Sequence, residues 1–298
     1  MGYLRPCRLE DALTALAARP VVVLAGGTDH FPSRVGHTPL EDILDITALP
    51  GLRAIERRGN GWWIGCGATW TDVIKAGLPP MFDGLVSAAR QVGGAQVQNA
   101  GTVVGNACNA SPAADGVACL MAMEAEVELA SRDGRRSLPM ADFVLGPRLT
   151  ARRPDELVLG LRVPSPLPLW ERPGEGIGAS VRDPSPPPAP PTRGEVKSKF
   201  IKLGSRKYLV ISIAMVAVVA AIEAGRIRHA RIAVGACGPR AERLPELEAS
   251  LVGQSLACPD VDPAHFVRLA PIDDIRAPAA YRRMAAVEIT RRALRELA

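Results

Sequence analysis

The chain has 298 residues, 47% hydrophobic and 22% charged, with a formal net charge of +5. That balance belongs to a folded globular chain of up to two domains and excludes disorder throughout. Six arginines against two glutamates between Arg276 and Ala298 hold +4 of the charge, which describes a solvated basic helix or a protein-docking face before it describes a nucleic-acid binder.

Aromatic residues make up only 4% of the chain, too few for a base-stacking surface. The apolar run Tyr208 to Ile222 has fifteen residues, short of the roughly 20 that a membrane helix needs. Residues 1–16 contain no apolar stretch of the kind a secretory signal requires, so a cytoplasmic chain is expected. Cys7, Cys66, Cys108, Cys119, Cys237 and Cys258 form no C-x-x-C pair. This argues against a disulfide framework, a zinc ribbon or an iron–sulfur cluster held by this chain alone, and predicts buried free thiols.

In chain order, Val21 to Leu24 predicts a short buried strand followed by Ala25-Gly26-Gly27-Thr28-Asp29. Ile43 to Ile46 and Trp62 to Gly67 predict two more strands, and Thr69-Trp70-Thr71-Asp72 a helix start. Leu85 to Val92 reads as helix, 99–116 as a loop rich in Gly, Asn and Ser, Val117 to Met123 as helix, and Ala125 to Ala130 as strand. Ten of the chain's 27 prolines fall between Pro164 and Pro191. Without backbone donors or apolar periodicity, such a stretch is expected neither to pair in a sheet nor to pack as a helix, and reads as a linker or an insertion. Beyond it, Leu209 to Val219 and Ile227 to Ala236 flank the turn Glu223-Ala224-Gly225-Arg226 and predict antiparallel strands. Glu242 to Leu251, Pro263 to Leu269 and Ala279 to Leu297 predict helices. The whole is an α+β chain.

Two segments carry chemistry. Ala25-Gly26-Gly27-Thr28-Asp29 directly follows a strand, where glycine backbone can cradle phosphates or simply make a turn. The dinucleotide fingerprint fails at Gly65-Cys66-Gly67-Ala68-Thr69-Trp70, which lacks its third glycine. Asn99 to Asp115 gathers amides, hydroxyls, small residues and one carboxylate in one segment almost free of long charged side chains. Such a set offers directional hydrogen bonds and close contact to a flat or anionic ligand.

Together, Ala25-Gly26-Gly27-Thr28-Asp29 and Gln98-Asn99-Ala100-Gly101-Thr102-Val103-Val104-Gly105-Asn106-Ala107-Cys108-Asn109-Ala110-Ser111-Pro112-Ala113-Ala114-Asp115 resemble the two flavin-binding segments of the FAD subunits of molybdenum hydroxylases, the xanthine dehydrogenase and carbon monoxide dehydrogenase family. Phe200 to Lys207, Ile232 to Gly235 and Tyr281-Arg282-Arg283 resemble that family's C-terminal flavoprotein domain. The resemblance implies a PCMH-type FAD-binding domain of two α/β subdomains over 1–164 and, over 198–298, a small antiparallel sheet with a helical bundle; the stretch 165–197 lies outside it and reads from its composition as a proline-rich disordered insertion.

It also implies noncovalent FAD, wrapped by Leu24, Ala25, Gly26, Gly27, Thr28, Asp29, His30 and Phe31 and by Thr102, Val103, Val104, Gly105 and Asn106. Ser111 and Asp115 would meet flavin hydroxyls, Val158 would lie against the isoalloxazine, and Lys202 would stand near it. On the residues alone, Val158 reads as plain core and Lys202 as a solvated end. The implied partners are a molybdopterin-binding large subunit and a 2Fe–2S small subunit, with NAD or another acceptor downstream. No catalytic or metal-ligating residue is expected on this chain.

Two departures stand out. Val104 replaces the first of two glycines, and Leu209 stands where some members carry an acid. If Asp115 meets the flavin, removing it weakens FAD without unfolding the chain. If the proline-rich stretch is a surface loop, replacing 166–194 by a short Gly-Ser linker preserves FAD binding and thermal stability, since loop closure costs only about 0.6 kcal/mol per doubling of length. Titration with FAD and a melting curve of the shortened chain check that expectation.

Overall fold

A computed structural model describes residues 2–36, 41–165 and 195–298. The chain opens with β1 (Tyr3–Leu4), α1 (Leu9–Ala18), β2 (Val22–Leu24) and β3 (Ile43–Asp45). These strands form a parallel sheet in the order β1-β3-β2. Helix α1, which the sequence reading did not expect, buries Ala12, Leu13 and Leu16 in the hydrophobic core of this part of the chain, an apolar stripe at helical spacing.

A second sheet is built from β4 (Ile55–Arg58) and β5 (Gly61–Gly65). After β5 come α2 (Trp70–Lys75), α3 (Asp83–Gln91), α4 (Ala95–Ala100), α5 (Val103–Asn109) and α6 (Asp115–Ala122). Then β6 (Glu126–Ser131), β7 (Gly134–Pro139), α7 (Met140–Phe143), β8 (Val144–Gly146), β9 (Leu149–Thr150) and β10 (Leu157–Pro164) follow. The five-stranded sheet runs β4-β5-β10-β6-β7, all antiparallel. Thr69 starts α2 as expected: its hydroxyl accepts from Asp72 N–H and the Asp72 carboxylate accepts from Thr69 N–H, the reciprocal capping box.

The expected 99–116 loop instead contains α5, because Thr102 caps it by accepting from Gly105 N–H at 2.9 Å. Pro164 does pair, with Gly61. Pro164 is the last residue of the central strand, past the end of its pairing with β6 at Arg162, and Ser165 N–H takes over by donating to the Asn60 carbonyl at 2.8 Å. The proline-rich stretch 166–194 lies outside the described residues.

The C-terminal sheet comprises β11 (Glu195–Leu203), β12 (Ala214–Glu223), β13 (Arg226–Gly235) and β14 (Glu242–Arg243), antiparallel in that order. Helices α8 (Pro245–Ser250) and α9 (Ala279–Arg295) complete the chain. Residues 195–197, expected in the insertion, are strand.

Leu209 to Ile213, expected in a strand, is loop. Leu209 has φ +52° and its carbonyl accepts from Arg206, which turns the chain before β12 begins opposite Leu203. The helix expected from Glu242 starts only at Pro245, since Arg243 is committed to pairing with Ala233. Pro263–Phe266 is a single 3-10 turn. Cys66, Cys119 and Cys237 are buried as expected, but Cys7 and Cys258 are exposed. Among the described residues no helix is long and apolar enough to cross a membrane.

The unbroken apolar run of β12 has a structural reason. Ala214, Val216, Val218 and Ala220 belong to one hydrophobic cluster with α8 and α9, whereas Met215, Ala217 and Val219 belong to the other, with α3 and α6. A strand covered on both faces needs no polar alternation. All eight residues of α6 are buried. Its first residue, Asp115, forms an ion pair at 2.6 Å with Lys202 on β11, both side chains at most 7% exposed, and accepts from Ser212 Oγ at 2.8 Å. Burial pushes the Asp115 carboxyl up, and the Lys202 charge and the two hydrogen bonds pull against it. Nearby, Glu124 accepts from Arg231 at 2.9 Å and Arg243 at 2.8 Å. Burial alone would raise that carboxyl, but the two arginines hold it below the ordinary range.

Removing one partner of a buried pair leaves the other charge uncompensated and costs about 3–5 kcal/mol. Asp115→Ala is therefore expected to lower the denaturant midpoint of the whole chain, against the sequence expectation of an intact fold. A wild-type midpoint would refute the pairing.

Candidate functional site

A cleft of about 710 Å³ is lined by β2 and the loop after it, by 101–109 and by Leu157 and Val158 of β10, within the usual range for a small-molecule site. One wall is the segment after β2. Gly27 has φ +67°, the left-handed turn that glycine tolerates, and Phe31 N–H donates back to its carbonyl at 3.1 Å. Gly26 is required by contact: a Cβ there would lie 1.9 Å from the Ala100 carbonyl oxygen. The two loops singled out in the sequence thus touch, backbone to backbone. The second segment is anchored by Trp70 N–H donating to the Gly101 carbonyl at 3.1 Å and Val103 N–H to the Ala68 carbonyl at 3.0 Å, which hold the chain where α5 begins.

Leu24, Ala25, Gly26, Gly27, Thr28, Asp29 and His30 line the cleft, as do Thr102, Val104, Gly105, Asn106 and Val158. The other residues expected at the site are placed differently. Phe31 is 54% exposed and Val103 fully buried, and neither lines the cleft. Ser111 Oγ accepts from Ala113 N–H at 3.3 Å in a local turn. Asp115 and Lys202 are spent on each other and do not line the cleft.

The sequence reading missed Ile46, Trp70, Val92, Val97 and Leu157 as apolar walls, and Arg34, Arg148 and Arg152 as charged ones. Nothing local marks them, because they come from four separate stretches of chain. Val104, the departure from the family glycine pair, is 3% exposed and adds its side chain to the apolar wall.

The donor set fits a flavin dinucleotide. Asn106 Oδ1 and His30 Nε2 are buried without a protein partner, and buried polar atoms of this kind call for one. Loop N–H groups suit an anionic diphosphate, and Leu157, Val158 and Trp70 give an apolar surface for a ring system. Cys66 and Cys108 also line the cleft, and burial pushes their thiols up to about 12 and about 11. They remain protonated and are poor nucleophiles near neutrality.

Gly26→Ala forces the two loops apart. Overpacking costs about 1–3 kcal/mol, so a roughly ten- to hundredfold loss of affinity is expected for FAD, measured by titration. Wild-type affinity would show that the loop contact does not shape the site.

Residues 1–166 match the family model of the FAD binding domain in molybdopterin dehydrogenase, and residues 199–297 that of the CO dehydrogenase flavoprotein C-terminal domain. The chain is 27% identical over 301 residues to the nicotine 6-hydroxylase medium subunit of Paenarthrobacter nicotinovorans, covering 99% of this chain and 96% of that protein. It is 31% identical over 188 residues to the xanthine dehydrogenase FAD-binding subunit of Escherichia coli O157:H7, covering 60% and 61%. Its fold is similar to that of a chain in the crystal structure of a Cu,Mo-CO dehydrogenase, with a TM-score of 0.83 at 26% identity over 99% of this chain and 96% of that one. The chain belongs to the FAD-binding subunits of the molybdenum hydroxylases, an oxidoreductase family, and its cofactor is FAD.

Proposed function

We propose that this chain is the electron-transfer subunit of a three-subunit, cytoplasmic molybdenum hydroxylase most like xanthine dehydrogenase. A molybdopterin-binding large subunit would hydroxylate the substrate, a small subunit would carry two 2Fe–2S clusters, and NAD or another acceptor would receive the electrons. The observation that carries this reading is the cleft itself: two glycine loops meet through Gly26 and Ala100, and Asn106 and His30, among its lining residues, each bury a side-chain polar atom without a partner.

Bound FAD supplies two-electron chemistry, accepting electrons from one partner and yielding them to another. The chain's residues do the binding and orienting. Backbone N–H groups of the 25–28 loop and of the α5 start would hold the diphosphate, Asn106 and His30 would bind polar edges, and Leu157, Val158 and Trp70 would exclude water from the ring. Lys202 would act at one remove, as a buried cation in the Asp115 pair, and Asp115 would hold Lys202 in place.

Support for the partners comes from relatives that are themselves called medium subunits or medium chains. Support for the xanthine-like assignment is the 31% identity to a xanthine dehydrogenase subunit, and NAD rests on the family resemblance alone.

Co-expression with molybdenum and iron–sulfur subunits encoded alongside it is expected to give one co-purifying complex whose flavin is reduced by substrate. Acid precipitation should release all flavin to the supernatant, because the cleft thiols are not positioned as nucleophiles. Flavin retained in the pellet would refute noncovalent binding. A flavoprotein that takes up no partner subunit would favour a stand-alone flavin reductase, and a chain that cannot be loaded with FAD a flavin-free assembly subunit.

A further inference from the structure

Of the three guanidiniums lining the cleft, two are tied to neighbours near in sequence. Arg34 pairs with Glu41 at 2.6 Å, and Arg152 donates to the carbonyls of Arg153, Pro154 and Glu156. Arg148 is different, because it reaches across. Lying between β8 and β9, it donates from Nη1 to Asp29 Oδ2 at 2.6 Å and from Nη2 to Asp29 Oδ1 at 3.4 Å. Nη1 also donates to Asn109 Oδ1, and Asn109 Nδ2 donates to Asp29 Oδ1 at 3.4 Å.

Three elements are thereby closed into one ring: the glycine loop after β2, the end of α5, and the β8–β9 turn. The ring has its own backbone support. Arg148 N–H donates to the Ala110 carbonyl at 3.0 Å, and both residues adopt left-handed conformations, φ +60° and +47°, which L side chains rarely take unless surrounding contacts enforce them. The Arg148 and Asp29 side chains are 61% and 49% exposed. The ring therefore sits at the rim of the cleft and not inside it.

We propose that Arg148 is a positioning residue: with Asp29 and Asn109 it forms a clasp across the rim that must open whenever the ligand enters or leaves. Asp29 then serves chiefly to hold the guanidinium. The inference rests on the FAD reading of this cleft. An exposed ion pair is weak and is screened by salt, so the clasp can open on the time scale of ligand exchange. Arginine suits it because its planar fork engages Asp29 through both Nη atoms while still reaching Asn109, which a lysine ammonium cannot do.

The test uses the full chain, freed of flavin and mixed rapidly with FAD while flavin fluorescence is followed. Arg148→Ala is expected to raise association and dissociation rate constants together, each about five- to tenfold, with the equilibrium constant changed by less than about threefold. Asp29→Asn should behave alike, the double variant should add nothing, and Arg148→Lys should fall between. High salt should speed release from the wild type and leave Arg148→Ala unchanged.

Faster release with slower association would make Arg148 a direct ligand contact and overturn the clasp. A lowered melting temperature with neither rate changed would make it purely structural and overturn the clasp equally. A wild-type chain that takes up no FAD would overturn the FAD reading along with the clasp, whereas normal uptake with unaltered rates in the variants would overturn the clasp alone.

Discussion

The structure depends on the burial of α6. Asp115 to Ala122 is enclosed on every side, lying between the five-stranded sheet's helical layer and strands β12 and β13 of the C-terminal sheet. A helix apolar all round persists only where protein covers it completely. Its one charged residue, Asp115, heads it, where a carboxylate favours the helix dipole and Lys202 and Ser212 from the C-terminal part supply its partners. The N-terminal and C-terminal parts are therefore joined by an apolar contact whose register is fixed by one buried ion pair. Buried pairs add little net stability beside apolar alternatives, but a mispaired one is expensive, so the arrangement tolerates only one docking.

That docking also builds the cleft. Helix α5 precedes α6 by a short turn, so fixing α6 fixes the start of α5 and, through Thr102 and Gly101, the loop that Gly26 packs against. The far wall hangs from β10, whose Leu157 and Val158 reach the same space. The side chains lining the cleft are mostly small, apolar or neutral, while Arg148 and Asp29 pair at the rim, where water screens them. Such a division suits a cofactor with a flat apolar ring and an anionic middle: the interior excludes water and the rim governs passage.

A family resemblance and an actual contact are different kinds of knowledge, and Asp115 and Lys202 show the difference. The resemblance implies that each meets the flavin. Their side chains instead meet each other, 87 residues apart in the chain. Their importance is consistent with either arrangement, and only the coordinates separate ligand contact from support of the fold.

The sequence by itself determined the family, through two glycine-containing segments in the right order, and several strands and helices before and after the proline-rich stretch, because apolar periodicity, capping residues such as Thr69 and turns such as Ala224-Gly225 act locally. It also determined seven consecutive lining residues, Leu24 to His30, since one loop carries them. Tertiary structure alone decided that β12 is covered on both faces, that Leu209 to Ile213 leaves the sheet, that Asp115 pairs with Lys202, and that Arg148 closes on Asp29. Each of these depends on which distant surfaces come into contact. A run of valines and alanines reads the same whether one face or two are covered, and an arginine in a turn carries no mark of a carboxylate 119 residues away.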